Sequence, residues 1–298
     1  MISILIPVYN FNPMDLLEAL SGQLHESGVE GEIIAGNDSS DLFYAPVFEK
    51  ASMIPGVSIY SSDKNLGRSM MRNRLAAMAR FPFLLFIDGD AGIENRNFLD
   101  NYLKKADEGT VVCGGTAYKA DRPVDNSRIL RWKYGLKREV RSAVTRSSSP
   151  YSSFSSFNFM VPKRIFDLIS FDEGLRRYGH EDTLYGIELE KNKIKIEHID
   201  NPLIHLGLDN SVLFLEKTAE GLENLTDLYR SYHDAGILVR RIRVLRQYLQ
   251  LRKTGLAIIL KFICPAFSGS IKRNLMGPSP SVFLFDIYKL CIINKIQD

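Results

Sequence analysis

Cysteine is scarce in this sequence. Only three of the 298 residues are cysteines, Cys113, Cys264 and Cys291, and their spacing matches no metal-ligand pattern. An odd and scattered set does not form the disulfide framework of a small secreted domain. We therefore expect three reduced thiols that pack as small apolar side chains inside an intracellular protein.

A secretory leader and long apolar runs are also missing. The opening residues, MISILIPVYN, enter a predicted strand without the basic region and cleavage site of a leader, which favours a cytoplasmic protein. The longest apolar stretches lie late in the chain and are interrupted by Lys261 and Pro265. They fall short of the roughly 20 residues that a membrane-spanning helix needs. The sequence therefore predicts no spanning helix.

Acidic residues are nearly absent from the end of the chain. Residues 237–298 contain 11 Lys and Arg but 2 Asp and Glu, whereas residues 1–236 contain 27 and 33. This asymmetry predicts an anionic partner for the basic region. One interpretation is peripheral attachment to the anionic inner face of the cell membrane; another is a helix packed on the body or at an oligomer contact. No nucleic acid is expected, because no aromatic stacking platform accompanies the charges.

Strands and helices alternate along the first 110 residues. The predicted strands are SILIPVY, EIIAGN, VSIYS and FPFLLFI, and the predicted helices are NPMDLLEALSGQLHE and LGRSMMRNRLAAMARF. Crossovers long enough to hold helices predict a largely parallel sheet in an α/β fold. Further strands are predicted in TVVCGGTAY and in NKIKIEHI, which NPLIHLG follows. The Ser-rich segment RSSSPYSSFSSFNFMVP is predicted to be a mobile loop over a site.

Paired acids, Asp88 and Asp90, follow the most apolar of these strands. Ligands bind at the carboxyl edge of an open α/β sheet, and two neighbouring carboxylates repel unless a cation or a proton relieves them. The pair therefore indicates either a metal site or an exposed Asp-Gly-Asp turn. At the same edge, Asn10 and Asp38 could receive a base or a ribose, and Arg72 could meet phosphates or hold Asp88.

The order of the motifs resembles family 2 glycosyltransferases with the GT-A fold. The matching stretches are SILIPVYN, EIIAGNDSSD, NLGRSMMRN, LLFIDGDA and, far downstream, FDEGLRRYGHEDTLYGIEL. The resemblance implies a Rossmann-like, mostly parallel central sheet with flanking helices in residues 1–210. Residues 1–110 would bind the nucleotide sugar and residues 111–210 the acceptor. A helical, basic amphipathic region would follow in residues 211–298.

The resemblance also implies a set of donor-binding residues. Asp38 would contact the base, and Asp88 the nucleotide or the sugar. The whole predicted set is Pro7, Tyr9, Asn10, Asp38, Asn65, Gly67, Arg72 and Asp88. Where the family commonly shows Asp-Asp-Gly-Ser, this chain has Asn37 in place of the first Asp and Ser39 in place of Gly, which supports the base contact better than a ribose contact. Met71 replaces an alanine of the family.

Metal ligands and a catalytic base follow from the same resemblance. Asp90 would ligate Mn²⁺ or Mg²⁺, with His205 as a second ligand or, alternatively, a hydrogen-bonded core histidine. In GHED, Asp182 would take the proton from the attacking hydroxyl. The alternative is that Glu181 and Asp182 only complement the dipole of the helix they open. The predicted acceptor-binding residues are Glu181, His180, Phe154 and Phe157.

Together these features predict a metal-dependent inverting glycosyltransferase. It would use a nucleotide sugar to extend a glycan or a lipid-linked glycan in surface polysaccharide synthesis. The expected donor is a UDP-sugar. Two alternatives stay open at this point. One is a phosphatase of the haloacid dehalogenase type with Asp88 as nucleophile. The other is a protein that binds a nucleotide sugar without turning it over.

Overall fold

The computed structural model describes residues 1–175 and 178–297. Within them the chain forms two compact units: residues 1–119, 140–175 and 181–207 make the first, and residues 120–139, 178–180 and 208–297 the second. The final passage into the second unit lies close to the predicted domain boundary at 210. Segment 120–139 joins the second unit although nothing in the sequence indicated it, and the predicted division at residue 110 stays a prediction.

A seven-stranded sheet organises the first unit. Its strands are β1 (Ile2–Val8), β2 (Gly31–Asn37), β3 (Val57–Ser61), β4 (Phe83–Ile87), β6 (Thr110–Cys113), β8 (Asn158–Pro162) and β9 (Lys195–His198), and a smaller sheet holds β5 (Ala91–Gly92), β7 (Thr116–Ala117) and β10 (Leu203–His205). The large sheet has the order β3-β2-β1-β4-β8-β6-β9. Every pairing is parallel except those of β8, which runs antiparallel to both β4 and β6. The predicted α/β architecture is confirmed.

Helices flank the sheet of the first unit and build the second unit. In chain order they are α1 (Met14–Ser27), α2 (Ala45–Ala51), α3 (Arg68–Met78), α4 (Phe98–Leu103), α5 (Ile129–Arg138), α6 (Ala143–Ser147), α7 (Lys163–Leu168), α8 (Glu181–Lys191), α9 (Ser211–Ser231), α10 (Ala235–Arg241), α11 (Arg243–Lys253), α12 (Ala257–Leu275) and α13 (Val282–Gln297). The helices predicted before β2 and before β4 are confirmed as α1 and α3. Helix α2 was not predicted.

The apolar run before the paired acids is an interior strand, as predicted. Successive side chains of a strand point to opposite faces of the sheet. Leu85 and Ile87 accordingly join one buried cluster, whereas Leu84 and Phe86 join another on the opposite face. All four are completely buried. Packing on both faces fixes the end of β4, and with it the position of the acids that follow.

The Ser-rich segment is ordered, which corrects its prediction as a mobile loop. It begins at the end of α6, contains a short 3₁₀ helix, Tyr151–Ser153, and ends in β8, so its NFMVP portion is a strand. Phe154 and Phe157 are only 6% and 7% exposed. The ring of Phe154 packs 5.0 Å from those of Phe159 and Tyr185. The two phenylalanines are therefore buried in the core, and their predicted role in acceptor binding stays a prediction.

The cysteine prediction needs a correction as well. Cys264 in α12 and Cys291 in α13 form a disulfide, with their Cα atoms 5.6 Å apart. The pair is 27 residues apart in sequence and meets only because the two helices pack together. Cys113 is a buried free thiol, as expected, and burial raises its pKa to about 12.

The second unit is helical and has a small aromatic core. Phe214 of α9 stacks on Phe285 of α13 at 5.1 Å, and Tyr134 of α5 packs against both rings. Among the described residues, no single helix is long and apolar enough to cross a membrane, in line with the sequence prediction. Helices α11 and α12 reach the length and apolar character of a membrane span only when they are taken together. The chain bends by 114° where they join.

Candidate active site

The loop that carries the paired acids is held by its own backbone. The amide of Asp88 donates to the carbonyl of Phe157 at 3.1 Å, and the amide of Gly89 donates to the carbonyl of Pro7 at 3.1 Å. A Cβ at Gly89 would lie 2.9 Å from that same carbonyl oxygen, so a side chain does not fit there. The loop therefore lies against the end of β1, with the two carboxylates directed to different partners.

Asp88 is paired with Arg72 of α3. One oxygen of Asp88 accepts a hydrogen bond from Nη2 of Arg72 at 2.5 Å. The Arg72 guanidinium is 1% exposed and lies 5.3 Å from the centre of the Phe171 ring. Its Nε and Nη1 atoms are buried and have no hydrogen-bond partner among the described residues. Of the two predicted roles for Arg72, the structure places it in the one that holds Asp88.

Asp90 and His205, the predicted metal ligands, lie side by side. Oδ2 of Asp90 is 3.4 Å from Nε2 of His205. The small sheet produces this contact, because β5 follows the acid loop and pairs with β10 so that His205 stands opposite Ala91. Gly207 is needed here, since a Cβ at that position would overlap the Asp90 carboxylate.

The residues at this point suit a divalent cation in their chemistry. A carboxylate oxygen and an imidazole nitrogen are both ligands of Mn²⁺, and the 3.4 Å between them lets both reach one ion. Among the described residues, no group of three or more His, Cys, Asp or Glu side chains could hold a metal. The remaining ligands would therefore come from substrate phosphate oxygens and water, as is common for Mg²⁺.

Asp182, the predicted base, opens α8 together with Glu181. The hydroxyl and the backbone amide of the nearby Ser156 favour its ionised form. Burial, followed by repulsion from Glu181, raises the pKa of Asp182 from 3.8 to about 6, although Arg72 and Ser156 act in the opposite direction. The Oδ1 atom is buried and has no partner among the described residues. A carboxylate with such a pKa is suited to accept a proton near neutral pH.

Glu181 faces a second arginine of α3. Oε1 of Glu181 is 3.5 Å from Nη1 of Arg68, and the Glu181 side chain is largely buried. Arg68 and Arg72 are one turn apart, so they project from the same face of α3. This helix therefore presents one cation to Glu181 and another to Asp88. The predicted acceptor contact of Glu181 stays a prediction.

Asp38, the predicted base contact, holds the loop that leads into α3. Its two carboxylate oxygens accept from the amides of Leu66 and Gly67 at 2.6 and 2.9 Å. Burial raises the pKa of Asp38, and these two amides partly offset the effect. The side chain of Asn65 donates to the Asp38 carbonyl at 3.3 Å, and Gly67 has φ +82°, which favours glycine. A carboxylate can accept more bonds than these, so a base contact stays a prediction.

Asn10 is tied to the turn after β2. It donates to Oδ2 of Asp41 at 3.1 Å and accepts from the Asp41 amide at 2.8 Å. Tyr9, beside it, is exposed, and Pro7, the second-last residue of β1, accepts from the amide of Gly89 in the acid loop. Ser39 adopts φ +57°, the conformation that explains why glycine is the common residue at this point of the family motif.

His180 lies in the second unit, where α9 holds it. Its Nε2 is 3.0 Å from the carbonyl of Gly221, and Asn224 donates to the carbonyl of Gly179 at 2.9 Å. Gly179 and His180 both have positive φ, +90° and +74°. These bonds fix a strained turn immediately before α8. The acceptor contact predicted for His180 stays a prediction.

Two residues of the site were missed in the sequence, Ser156 and Arg68. Only Arg68 had a usable signal. Arg68 lies four residues before Arg72 in a predicted helix, which places both on one face. Ser156 precedes a strand that runs antiparallel to β4, so it necessarily arrives beside Asp88; that antiparallel pairing was not apparent in the sequence.

Comparison with known proteins decides the family. Residues 3–169, more than half of the chain, match the profile of glycosyl transferase family 2. The chain belongs to this family. The match removes the phosphatase alternative and identifies the protein as a glycosyltransferase with the GT-A fold, as the motif order indicated. A search of curated proteins finds no significant match to this glycosyltransferase.

Solved structures agree on the fold. Staphylococcus aureus TarS is 18% identical with a TM-score of 0.53, over 86% of this chain and 45% of TarS, so the chain spans less than half of that protein. TarS 1–349 in complex with UDP-GlcNAc is 17% identical with a TM-score of 0.52, over 86% and 75%. The mannosyltransferase PcManGT from Pyrobaculum calidifontis, in complex with GDP-Man and Mn²⁺, is 12% identical with a TM-score of 0.57, over 99% and 86%.

Proposed function

We propose that this glycosyltransferase transfers a sugar, with inversion, from a nucleoside diphosphate sugar to a hydroxyl of a glycan or a lipid-linked glycan. The donor is a UDP-sugar, and the product belongs to a surface polysaccharide. Structures of TarS with UDP-GlcNAc and of PcManGT with GDP-Man and Mn²⁺ support a nucleotide-sugar donor and a divalent cation.

One observation carries the proposal. A carboxylate with its pKa raised to about 6 shares the cation Arg72 with the first of two paired acids, while the second acid adjoins an imidazole. Displacement at an anomeric carbon requires a base for the incoming hydroxyl and a stabilised diphosphate leaving group. Asp182 answers the first requirement, and Asp90 with His205 answers the second.

Asp182 acts on the acceptor. Its Oδ1 takes the proton from the attacking hydroxyl, because this oxygen has no competing partner among the described residues. The hydroxyl and the amide of Ser156 lower the pKa of Asp182 and so favour the ionised base. Arg72 limits the rise of the Asp182 pKa, so that the group is ionised at neutral pH.

Asp90 and His205 act on the donor. They would hold the divalent cation, which supplies charge neutralisation to the departing diphosphate. Arg72 keeps Asp88 in one orientation, and the buried end of β4 fixes the positions of both acids. Asp88 contacts the donor from there, while the loop held by Asp38 supports the nucleotide.

Calorimetric titration of UDP, GDP and CDP, each with and without Mn²⁺, tests the donor site. We expect one nucleotide, UDP, to bind in a metal-dependent manner. Asp90→Ala should weaken that binding at least tenfold, whereas Asp167→Ala, which removes an exposed aspartate of α7, should not. If none of the three nucleotides binds with Mn²⁺ present, the proposal is wrong. An α-linked product from an α-linked donor would disprove inversion.

A further inference from the structure

The first half of α12 leaves an apolar stripe uncovered. We call Ile258, Ile259, Phe262, Ile263 and Phe267 the α12 stripe. The pairs 258/262, 259/263 and 263/267 are each four residues apart, so the five side chains lie on one half of the helix surface. Ile258, Phe262 and Phe267 are 60%, 73% and 55% exposed. Soluble monomers rarely expose contiguous apolar patches of this kind unless another surface covers them.

Basic residues flank the α12 stripe in sequence, and the same segment of the chain contains no acidic residue. Residues 237–285 contain nine Lys and Arg and neither Asp nor Glu. Arg252 and Lys253 end α11, Lys261 lies within the stripe, and Lys272 and Arg273 lie near the end of α12; all five are exposed. Long basic side chains can keep their charge in water while their stems cover apolar surface.

The backbone bends sharply just before the α12 stripe. Helices α11 and α12 bend by 114° at a short connection in which Gly255 has φ +77°. The disulfide between Cys264 and Cys291 joins the middle of α12 to α13. The stripe is therefore fixed to the helices of the second unit and cannot fold away independently.

We propose that the α12 stripe docks on an anionic membrane surface. The apolar side chains enter the boundary between headgroups and acyl chains, and the flanking Lys and Arg meet the negative headgroups. A second copy of this chain fits less well, because it would bring two acid-free, positively charged segments together without neutralisation. This inference is independent of the proposed function.

Sedimentation with lipid vesicles tests the proposal on the full-length protein. At moderate salt, we expect binding to vesicles of phosphatidylcholine with 30% phosphatidylglycerol, and little binding to phosphatidylcholine alone. The double variant Phe262→Ser, Phe267→Ser should partition at least tenfold less. Arg252→Gln with Lys253→Gln should weaken partitioning by about fivefold per charge removed.

The first unit offers a matched control. Leu42 and Phe43 are even more exposed, at 90% and 82%, and lie outside the basic region. The double variant Leu42→Ser, Phe43→Ser should bind vesicles as the wild type does. Thermal melting of every variant shows whether it has folded, so that a loss of binding is assigned to the surface alone.

Tryptophan fluorescence gives a second, local measurement. The chain has one tryptophan, Trp132, so Phe262→Trp in a Trp132→Phe background reports on the stripe alone. Brominated lipids in the phosphatidylglycerol vesicles should quench this probe. The proposal is overturned if the wild type does not sediment with these vesicles, if the stripe variant binds them equally well, or if the bound probe escapes quenching. If instead the wild type forms dimers that the stripe variant does not form, and the wild type does not bind vesicles, the α12 stripe contacts a second copy of this chain.

Discussion

In the first unit, β4 buries Leu84, Leu85, Phe86 and Ile87 completely between two layers of side chains. In the second unit, the first half of α12 leaves Phe262 more than two-thirds exposed. Both segments are similarly apolar in sequence. The difference lies in what the rest of each unit supplies: a sheet covers its central strand on both faces, whereas the neighbours of α12 cover only its end.

This contrast explains which unit can bury charged and polar groups that lower the stability of the fold. A closed, well-packed core can hold a buried arginine with two unpartnered nitrogens and a carboxyl group whose pKa is raised. A unit with an uncovered helix has less packing to spare and depends on a covalent cross-link. Four predictions test this contrast, beginning with the largest expected effect.

Asp182→Asn should separate activity from stability in the first unit. Loss of the base should lower kcat by about 10²- to 10⁴-fold. Because burial raises the pKa of Asp182 in the folded state, the carboxylate costs stability that grows as the pH rises from 3.8 through about 6. At pH 7 the variant should therefore unfold at the same temperature as the wild type or higher. Turnover close to the wild-type rate would contradict the role of Asp182.

A reductant should destabilise the second unit. The disulfide joins residues 27 apart in sequence, for which the chain-entropy estimate is about 3.5 kcal/mol. Melting of the wild type should therefore shift to lower temperature when dithiothreitol is added. The double variant Cys264→Ser, Cys291→Ser should melt at this lower temperature under both conditions. Three reactive thiols in the unreduced, denatured wild type would show that the disulfide does not form.

Arg72→Met should change the pH dependence of the enzyme. Arg72 lowers the pKa of Asp182, so its removal should move the acid limb of the kcat/KM profile upward from about 6 by roughly one unit. Arg74→Met is the matched control, because Arg74 lies on the same helix but over the ring of Tyr60. Identical pH profiles for the Arg72 variant and the wild type would mean that the two groups are not coupled.

Tyr185→Phe should stabilise the first unit slightly. The Tyr185 hydroxyl is buried without a hydrogen-bond partner among the described residues, while its ring stacks on Phe171 at 4.5 Å. Removing the hydroxyl should raise the free energy of unfolding by about 1 kcal/mol. Tyr102→Phe should lower it by a similar amount, because the Tyr102 hydroxyl donates to Asn158 at 2.6 Å. Denaturant unfolding measures both changes. If the two variants change the free energy of unfolding in the same direction, the two hydroxyls do not differ in hydrogen bonding as described.

The parts of the fold that follow local pattern could be predicted. Continuous burial of β4 follows from an unbroken apolar run, and α1 and α3 follow from apolar spacing and their terminal residues. The approach of His205 to Asp90 was anticipated only through the resemblance to a family. Its physical cause, the pairing of β5 with β10, involves strands of two and three residues that leave no periodic signal.

Long-range packing was the part that sequence could not supply. The serines and phenylalanines around residue 155 look like a polar loop, yet Phe154 and Phe157 are buried because β8 enters the sheet between β4 and β6. The disulfide depends in the same way on how α12 meets α13. The separation of 27 residues between the two cysteines does not indicate that these helices pack together.

Gly207 has no functional group to offer, yet a side chain at this position would collide with the carboxylate of Asp90. A single methyl group there would displace the Asp90 carboxylate, although no acid or imidazole would have been altered. A mutational scan of this enzyme would therefore score residue 207 as severely as a ligand itself. At residue 207 the sequence therefore encodes the space that the Asp90 carboxylate occupies.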